Sequence, residues 1–359
     1  MIYLDNSALE QPLEDVITTV NNVLKNQWYN PNSLYTNGNN SKKIIQETKE
    51  TISKEINCKP NEIIFCSCGS EANALATCGY IRKHKLDSFV TSTIEHPSIA
   101  ENPYGRKIIR VDKDGNFNVD DIKKIDNSLV SIQMANSEIG TIQNIKELTE
   151  ILHKNNCIVH TDAVQAFGKI KIDVKDLGVD MLTATSQKIG GILGCSFLYI
   201  RQGITLESLI FGHNTLRGGT PNVCAIAGFG TAIKNIKYSP SVSKNRDYVL
   251  NYLLRNVPDC YLIGAKDNRL PNNLYMCFKG IEGESLMIML DNLGISVSTG
   301  SACNSGSLTP STTLVAIGMN RKDIHSCIRL TFNGNEKKEE LDYVNKKIKS
   351  CVNILRIMR

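Results

Sequence analysis

Three polar clusters in the first half of the chain have residue types that could act together. Ser67-Cys68-Gly69-Ser70-Glu71 precedes a predicted helix and places free backbone N–H groups at its N-terminus, which suits a phosphate. Asp162 follows a β-branched strand, and a buried carboxylate there needs a hydrogen-bonding or cationic partner. Lys188 also follows a strand, between hydroxyls and glycines, where an amine can lose its proton and form an imine.

Each cluster also has a purely structural alternative. Ser70 or Asp162 could cap the helix that follows it, and Lys188 could extend its amine to solvent. An anion site, a carboxylate and an amine at one sheet edge nevertheless suit pyridoxal phosphate as a set. The lysine would hold the aldehyde as a Schiff base, and the carboxylate would keep the ring nitrogen protonated. His96 could stack on the ring and move protons, although a lone histidine is more often structural.

Cys303 differs from most of the twelve cysteines, which lie in apolar stretches and are expected to be reduced core residues. There is no C-x-x-C pair, so we expect no metal site. Cys303 lies within ten small or polar residues, 298–307, a composition that predicts an exposed loop. An exposed thiol is open to oxidation, so its presence in such a loop favours a nucleophilic role.

Alternating strands and helices must position these residues. Their pattern from residue 60 to 200 predicts an α/β fold with a mainly parallel sheet, whose strand carboxyl ends gather ligands. After residue 240 the pattern indicates a smaller α+β lobe. We expect a large domain over residues 13–240, and a small domain formed by 1–12 and 241–359. The predicted strands are 63–66, 89–91, 108–111, 129–134, 158–161, 181–184 and 196–200, then 273–278 and 328–332; the predicted helices are 41–56, 71–85 and 145–154, then 246–255, 284–293 and 336–358.

Composition narrows the class of protein. The chain has 359 residues with a net charge of +5, which is too mild to indicate a nucleic-acid groove. No apolar run approaches the roughly 18 residues of a membrane span, and the first residues do not read as a signal peptide. We therefore expect a cytoplasmic protein with no membrane and no direct nucleic-acid partner.

Nine motifs, in order along nearly the whole chain, resemble those of a known family. The sequence resembles the cysteine desulfurases of the NifS/IscS type, in the group with a long cysteine loop. These are pyridoxal-phosphate enzymes of the fold-type I aminotransferase fold, with a seven-stranded sheet in the large domain. The motifs are Tyr3-Leu4-Asp5-Asn6, Asn30-Pro31-Asn32-Ser33-Leu34, Gly69-Ser70-Glu71-Ala72-Asn73, Glu95-His96-Pro97, Asn136-Ser137-Glu138-Ile139-Gly140, His160-Thr161-Asp162-Ala163-Val164-Gln165, Arg217-Gly218-Gly219-Thr220, Ser301-Ala302-Cys303 and Ile328-Arg329-Leu330.

The resemblance implies the removal of sulfur from L-cysteine. Lys188 would hold the cofactor and act as the base, while Cys303 would take the sulfur as a persulfide and L-alanine would leave. The resemblance also implies a homodimer and a sulfur-acceptor protein, in iron–sulfur cluster assembly, RNA thiolation or another sulfuration. By position, it assigns Asp162 to the ring nitrogen, Gln165 and Asn136 to the ring hydroxyl, His96 to the ring face, Gly69, Ser70, Thr185, Gln187 and a second subunit's Thr220 to the phosphate, and Arg329 to the substrate carboxylate with Asn30 and Asn136 as helpers.

Two alternatives stay open at this point. One is selenocysteine lyase or another pyridoxal-phosphate enzyme that cleaves or transaminates cysteine. The other is a non-catalytic subunit that binds a sulfur-transfer partner, because Gln187 stands where the family has histidine and the loop 211–216 is short. Five retained residues argue against the second alternative, since a subunit without activity does not need them: His96, Asp162, Lys188, Cys303 and Arg329.

Overall fold

A seven-stranded sheet forms the centre of the large lobe in the computed structural model, which describes residues 1–212, 215–300 and 310–358. The strand order is β2-β8-β7-β6-β5-β3-β4, and β8 alone runs antiparallel to its neighbours. The parallel strands therefore end at one edge. The strands are β2 (Ile63–Cys66), β3 (Ser88–Ser92), β4 (Gly105–Ile109), β5 (Leu129–Gln133), β6 (Ile158–Asp162), β7 (Met181–Thr185) and β8 (Ser196–Ile200).

Helices cover both faces of this sheet because successive strand residues point to opposite sides. Phe89 packs into the core on one side and Val90 into the core on the other. Helices α1, α2, α6 and α8 contribute to the Val90 side, whereas α3 and α4 contribute to the Phe89 side. The helices of this lobe are α1 (Glu14–Asn26), α2 (Thr36–Ile56), α3 (Gly69–His84), α4 (Pro97–Ala100), α5 (Val119–Ile122), α6 (Ile145–Lys154), α7 (Val174–Leu177) and α8 (Val223–Lys234), with 3₁₀ turns at Pro60–Glu62 and Ser186–Lys188.

The second lobe is built on a three-stranded antiparallel sheet of order β12-β10-β9. The N-terminus joins this lobe, because β1 pairs with β11 and Leu4 lies in its core. We propose that residues 1–12 and 241–359 form this domain and that residues 13–240 form the other. The elements are β1 (Ile2–Tyr3), α9 (Pro240–Asn256), β9 (Cys260–Leu262), β10 (Asn273–Phe278), α10 (Gly283–Asp291), β11 (Ile295–Ser296), α11 (Thr312–Ala316), β12 (Cys327–Thr331) and α12 (Lys338–Ile357).

The predicted α/β fold class is confirmed, but three elements start at least three residues before their predicted starts, and one of them is α9, which begins at Pro240 and not at 246. β4 lies at Gly105–Ile109, before the predicted 108–111, because its position is set by pairing in register with β3. α2 starts at Thr36, five residues before the predicted start, and Gly38 lets its first turn pack closely on the backbone of Asn30. In the described residues, no helix combines the length and the apolar character that a membrane crossing needs.

Three phenylalanines link the sheet to α8 and provide a test of this packing. The rings of Phe167, Phe197 and Phe229 are almost fully buried, with centroids 5.4 to 6.1 Å apart. We expect Phe229→Ala to lower the free energy of unfolding by about 3–5 kcal/mol, because it leaves a cavity between helix and sheet. Urea denaturation measures this loss. Ile354→Ala is the control, because Ile354 is half exposed and should cost under about 1 kcal/mol. Equal losses would contradict the packing described.

Candidate active site

A cavity of about 150 Å³ lies where β6 and β7 end and α3 begins. It brings together residues from five separate parts of the sequence, as the convergence of strand ends predicts. Eight of the predicted site residues line it: Gly69, Ser70, His96, Asp162, Gln165, Thr185, Gln187 and Lys188. The other lining residues are Cys68, Asn73, Gln133, Ala135, Ser137 and Val164.

The N-terminus of α3 forms one wall of the cavity and is suited to an anion. The N-cap residue is Cys68, whose side chain makes no capping hydrogen bond, so the helix does not use Ser70 as its cap. The first N–H groups of the helix consequently remain available to a ligand. Gly69 lets the start of α3 pack tightly on the neighbouring lining residues, because a methyl group there would lie 3.2 Å from Val164 Cγ2 and 3.3 Å from Thr185 Cγ2.

Asp162 provides a buried carboxylate at the end of β6. Its side chain accepts hydrogen bonds from Asn73 Nδ2 at 2.7 Å and from the backbone N–H of Val164 at 2.9 Å. A turn follows Asp162, so it does not cap a helix. Both of these donors are neutral, and a carboxylate held by neutral donors can still stabilise a cation such as a protonated ring nitrogen.

Lys188 places its amine beside the N-terminal segment. Its Nζ donates to the carbonyl oxygens of Ser7 and Ala8, each at 2.6 Å. The carbonyl of Ser7 also accepts from Gln165 Nε2 at 3.1 Å, so one backbone group orients two predicted site residues. The amine is therefore held at the cavity by residues about 180 positions away in the sequence.

His96 also lines the cavity, and its ring has a defined set of hydrogen bonds. Its Nδ1 accepts from the backbone N–H of Ser98 at 3.1 Å, which caps the short helix α4. A ring nitrogen that accepts carries no proton, so in the neutral ring Nε2 carries it. His96 can therefore donate a proton from Nε2 while the hydrogen bond at Nδ1 fixes the orientation of its ring.

Arg329 lies on β12 and is 3% exposed. Its Nη1 donates to the carbonyl oxygens of Ser137 at 2.8 Å and Gly300 at 3.0 Å, and its Nη2 donates to Asp5 Oδ1 at 2.8 Å. No described residue accepts from Nε, although this nitrogen is buried. Ser137 also lines the cavity, so Arg329 is bonded to one of the lining residues and has N–H groups that no described residue uses.

Besides Arg329, three predicted residues that the structure describes do not line this cavity. Asn136 is buried, but its side chain bonds to the backbone of Ile94, Glu138 and Ile139, so it shapes the wall. Asn30 is exposed and accepts from the backbone of Asn32. Thr220 lines a separate cavity with Arg217. Cys303 lies outside the described residues, so its predicted role is neither supported nor opposed by the geometry.

The described residues on either side of 301–309 lie close to Arg329. The carbonyl of Thr299 accepts from Tyr275 Oη at 2.9 Å, and the carbonyl of Gly300 accepts from Arg329. On the other side, Ser311 Oγ donates to Glu138 Oε2 at 2.6 Å. Gly300 is thus attached to Arg329 directly, and Ser311 is attached to Glu138, whose charge interacts with that of Arg329.

Sequence reasoning missed several lining residues. Asn73 follows Gly69 by one helical turn, and that spacing could have placed it on the same face of α3. Gln133 is the last residue of β5, where the strand-end rule could also have found it. Cys68 belongs to the stretch 67–71 that the sequence already indicated, whereas Ser137 carries no comparable signal, because it lines the cavity through the local course of the backbone.

Three comparisons describe what the chain is similar to. The model of the aminotransferase class-V family matches residues 2–344. A protein named cysteine desulfurase IscS from Dictyoglomus turgidum is 38% identical over 362 residues, which cover 95% of this chain and 92% of that protein. Cysteine desulfurase IscS 1 from Archaeoglobus fulgidus is 35% identical, covering 100% and 98%. A solved structure titled NifS-like protein superposes with a TM-score of 0.92 at 29% identity, covering 99% and 100%.

Glu95, beside His96, provides a test of charge burial at this site. Its Oε1 accepts from Ser92 Oγ and from the N–H of Gln133, whereas no described residue contacts Oε2 by a hydrogen bond. Burial raises the pKa of Glu95 to about 8, against the lowering effect of these hydrogen bonds. Between about pH 4.5 and pH 8, Glu95 should therefore be protonated in the folded protein and ionised in the unfolded chain.

We expect the free energy of unfolding to fall as pH rises through this window, relative to Glu95→Gln, because the variant has no proton to lose there. Urea unfolding of both proteins at several pH values from 5 to 8.5 measures the difference. The sign is that of an acid whose folded pKa lies above its unfolded pKa. Parallel stability curves for the two proteins would show that Glu95 is already ionised in the fold.

Proposed function

The chain belongs to the cysteine desulfurases of the aminotransferase class-V family, as its motifs predicted, and we propose that it removes sulfur from L-cysteine with pyridoxal phosphate bound at Lys188. The observation that carries this proposal is the cavity itself. An amine, a buried carboxylate and an open helix N-terminus face one space of about 150 Å³. The products are L-alanine and a persulfide on Cys303.

The lining residues fit the three functional parts of this cofactor. Asp162, held by neutral donors, would pair with the protonated ring nitrogen. The uncapped first turn of α3 at Gly69 and Ser70, together with Thr185 and Gln187, would bind the phosphate. Gln187 supplies a neutral amide in place of a charge, and its side-chain oxygen already accepts from Thr185 Oγ1.

The chemistry that bound pyridoxal phosphate supplies is an electron sink for the charge left when the substrate loses its Cα proton. Lys188 takes that proton once its amine leaves the carbonyl oxygens of Ser7 and Ala8. His96 holds a proton at Nε2 for donation within the cavity. Gln165 keeps the Ser7 carbonyl in place as the amine moves.

Arg329 binds the substrate carboxylate in this proposal. Its Nε and the second N–H of Nη2 are not used by described acceptors, and a carboxylate prefers two such parallel donors. Its Nη1 is held by Ser137 and Gly300, which prevents the guanidinium group from turning away. The substrate would thus be oriented between Arg329 and the amine of Lys188.

Cys303 completes the reaction as a nucleophile. Its thiolate forms an S–S bond to the substrate sulfur, the C–S bond breaks, and the electron pair stays with the carbon skeleton. The skeleton takes up a proton and leaves as L-alanine, while the sulfur remains on Cys303 as a persulfide. A sulfur-acceptor protein in the cytoplasm would then receive it.

A homodimer follows from the assignment of Thr220. This residue lies in a cavity separate from that of Lys188, beside Arg217, which forms a two-point ion pair with Glu71 at 2.8 and 3.2 Å. Glu71 belongs to the first turn of α3. The loop with Thr220 is thereby fixed at the surface, where it can reach the phosphate in a second copy of the chain.

The nucleophile is tested by Cys303→Ser in the cofactor-loaded enzyme. We expect the yellow colour of the lysine-bound cofactor to persist, while release of alanine and sulfide from L-cysteine falls at least about 100-fold, because the hydroxyl cannot accept the sulfur. Alanine is measured by chromatography and sulfide by a colorimetric assay.

Two further cysteines sharpen this test. Cys58→Ser is the control, because burial raises the pKa of Cys58 to about 12 and makes it inert at neutral pH. Cys68 is exposed and lines the cavity, so it is the rival acceptor. Full activity of Cys303→Ser with loss of activity in Cys68→Ser would transfer the role to Cys68.

The carboxylate site is tested by Arg329→Lys. We expect the KM for L-cysteine to rise about 10- to 100-fold with a smaller change in kcat, because lysine keeps the charge but loses the paired donors. Steady-state kinetics across cysteine concentrations measure both constants. An unchanged KM would remove Arg329 from substrate binding.

A further inference from the structure

Asp5 is the carboxylate partner of Arg329, and its position is built into the second lobe. The Asp5 side chain is 18% exposed and the Arg329 side chain 3%, with 2.8 Å between Oδ1 and Nη2. The residues on either side of Asp5 are bonded to Thr331, two positions after Arg329 on β12. Thr331 donates its N–H to the Leu4 carbonyl at 2.7 Å, and its own carbonyl accepts from Asn6 Nδ2 at 2.6 Å.

The pair leaves Arg329 with little freedom. A guanidinium group has five N–H donors, of which Ser137, Gly300 and Asp5 accept three. The unused donors lie on Nε and on Nη2, the nitrogen that already contacts Asp5. The charge of Glu138 also interacts with the guanidinium group, but no hydrogen bond joins the two, and Glu138 Oε2 accepts from Ser311. An incoming carboxylate that takes both unused donors therefore shares Nη2 with Asp5.

We propose that Asp5 weakens the affinity of Arg329 for the α-carboxylate of amino acids, for the substrate and the product alike. This inference rests on the proposed function, in which Arg329 binds that carboxylate. Two carboxylates on one guanidinium group repel each other. At a separation of about 6 Å, Coulomb repulsion corresponds to roughly 3-fold in affinity in water and roughly 100-fold at an effective dielectric constant of about 20. Because Asp5 is partly exposed, we expect about tenfold.

The same carboxylate is useful when the site is empty of substrate. A buried cation without a charged partner destabilises a fold, so Asp5 stabilises the resting protein. L-alanine carries the same carboxylate and amine as L-cysteine, so tight carboxylate binding would retain the product. Asp5 thus lowers the affinity for the amino-acid carboxylate, while it stabilises the resting protein and favours the release of alanine.

The test is Asp5→Asn in the cofactor-loaded enzyme. Asparagine keeps an oxygen that can accept from Nη2 but has no charge. We expect the inhibition constant of L-alanine and the KM for L-cysteine both to fall about tenfold, while the denaturation midpoint also falls. The lower constants mean tighter binding, whereas the lower midpoint means a less stable protein. If Asp5 had only a structural role, its replacement would weaken both binding and stability.

Cysteamine, which lacks the carboxylate, separates charge repulsion from a general change in the cavity. Its inhibition constant should change less than twofold in Asp5→Asn. Asp5→Ser also removes the charge and should act in the same direction, should Asp5→Asn not yield folded protein. Glu10→Gln is the control, because Glu10 lies in the same N-terminal segment as Asp5 but does not bond to Arg329. Its carboxylate pairs with Lys169 at 2.7 Å.

Unchanged or weaker alanine binding in Asp5→Asn would overturn the inference, and so would an equal tightening of cysteamine or of alanine in Glu10→Gln. Arg329→Lys distinguishes this failure from failure of the proposed function. If Arg329→Lys raises the KM for cysteine and Asp5→Asn does not lower it, only the proposed role of Asp5 is wrong. If Arg329→Lys leaves the KM unchanged, Arg329 does not bind the substrate carboxylate, and the inference about Asp5 is wrong as well.

Discussion

The cost of removing charge from water governs the arrangement at the carboxyl edge of the large sheet. Asp162 and Arg329 are both more than nine-tenths buried, and the fold must provide each with partners. Asp162 receives neutral donors only through Asn73 and the turn at Val164, while Arg329 has Asp5 and two backbone carbonyls. Incompletely used groups such as the Arg329 Nε remain where a charged ligand would complete them.

A short N-terminal segment connects the two lobes at this place. Its carbonyl oxygens at Ser7 and Ala8 hold the amine of Lys188, and its carboxylate at Asp5 holds Arg329. The segment itself is anchored to Thr331 of β12. The separation between Lys188 and Arg329 therefore depends on the packing of the second lobe, so a change in that packing would act on both residues at once.

Local patterns predicted much of this molecule. The β-branched runs placed the strands of the large sheet, and the small residues at the start of α3 pointed to Gly69, which lines the cavity. The sequence pattern gave the wrong bounds or role where hydrogen bonds to another part of the chain decide the structure of a segment. Residues Gly105–Ile109 became β4 because β3 offered them hydrogen bonds, and Asn136 became part of a wall because backbone groups took all three of its hydrogen bonds.

By itself, the sequence determined the fold class, the family, the strand ends at Asp162 and Thr185 and the turn after β7 that carries Lys188, because periodicity and motif order are local properties of the chain. Tertiary structure alone decided the pairing of Asp5 with Arg329, across 324 positions. It also decided the burial that raises the pKa of Glu95. The physical reason is that desolvation and ion pairing depend on which distant residues approach a group, and no spacing within a motif encodes that approach.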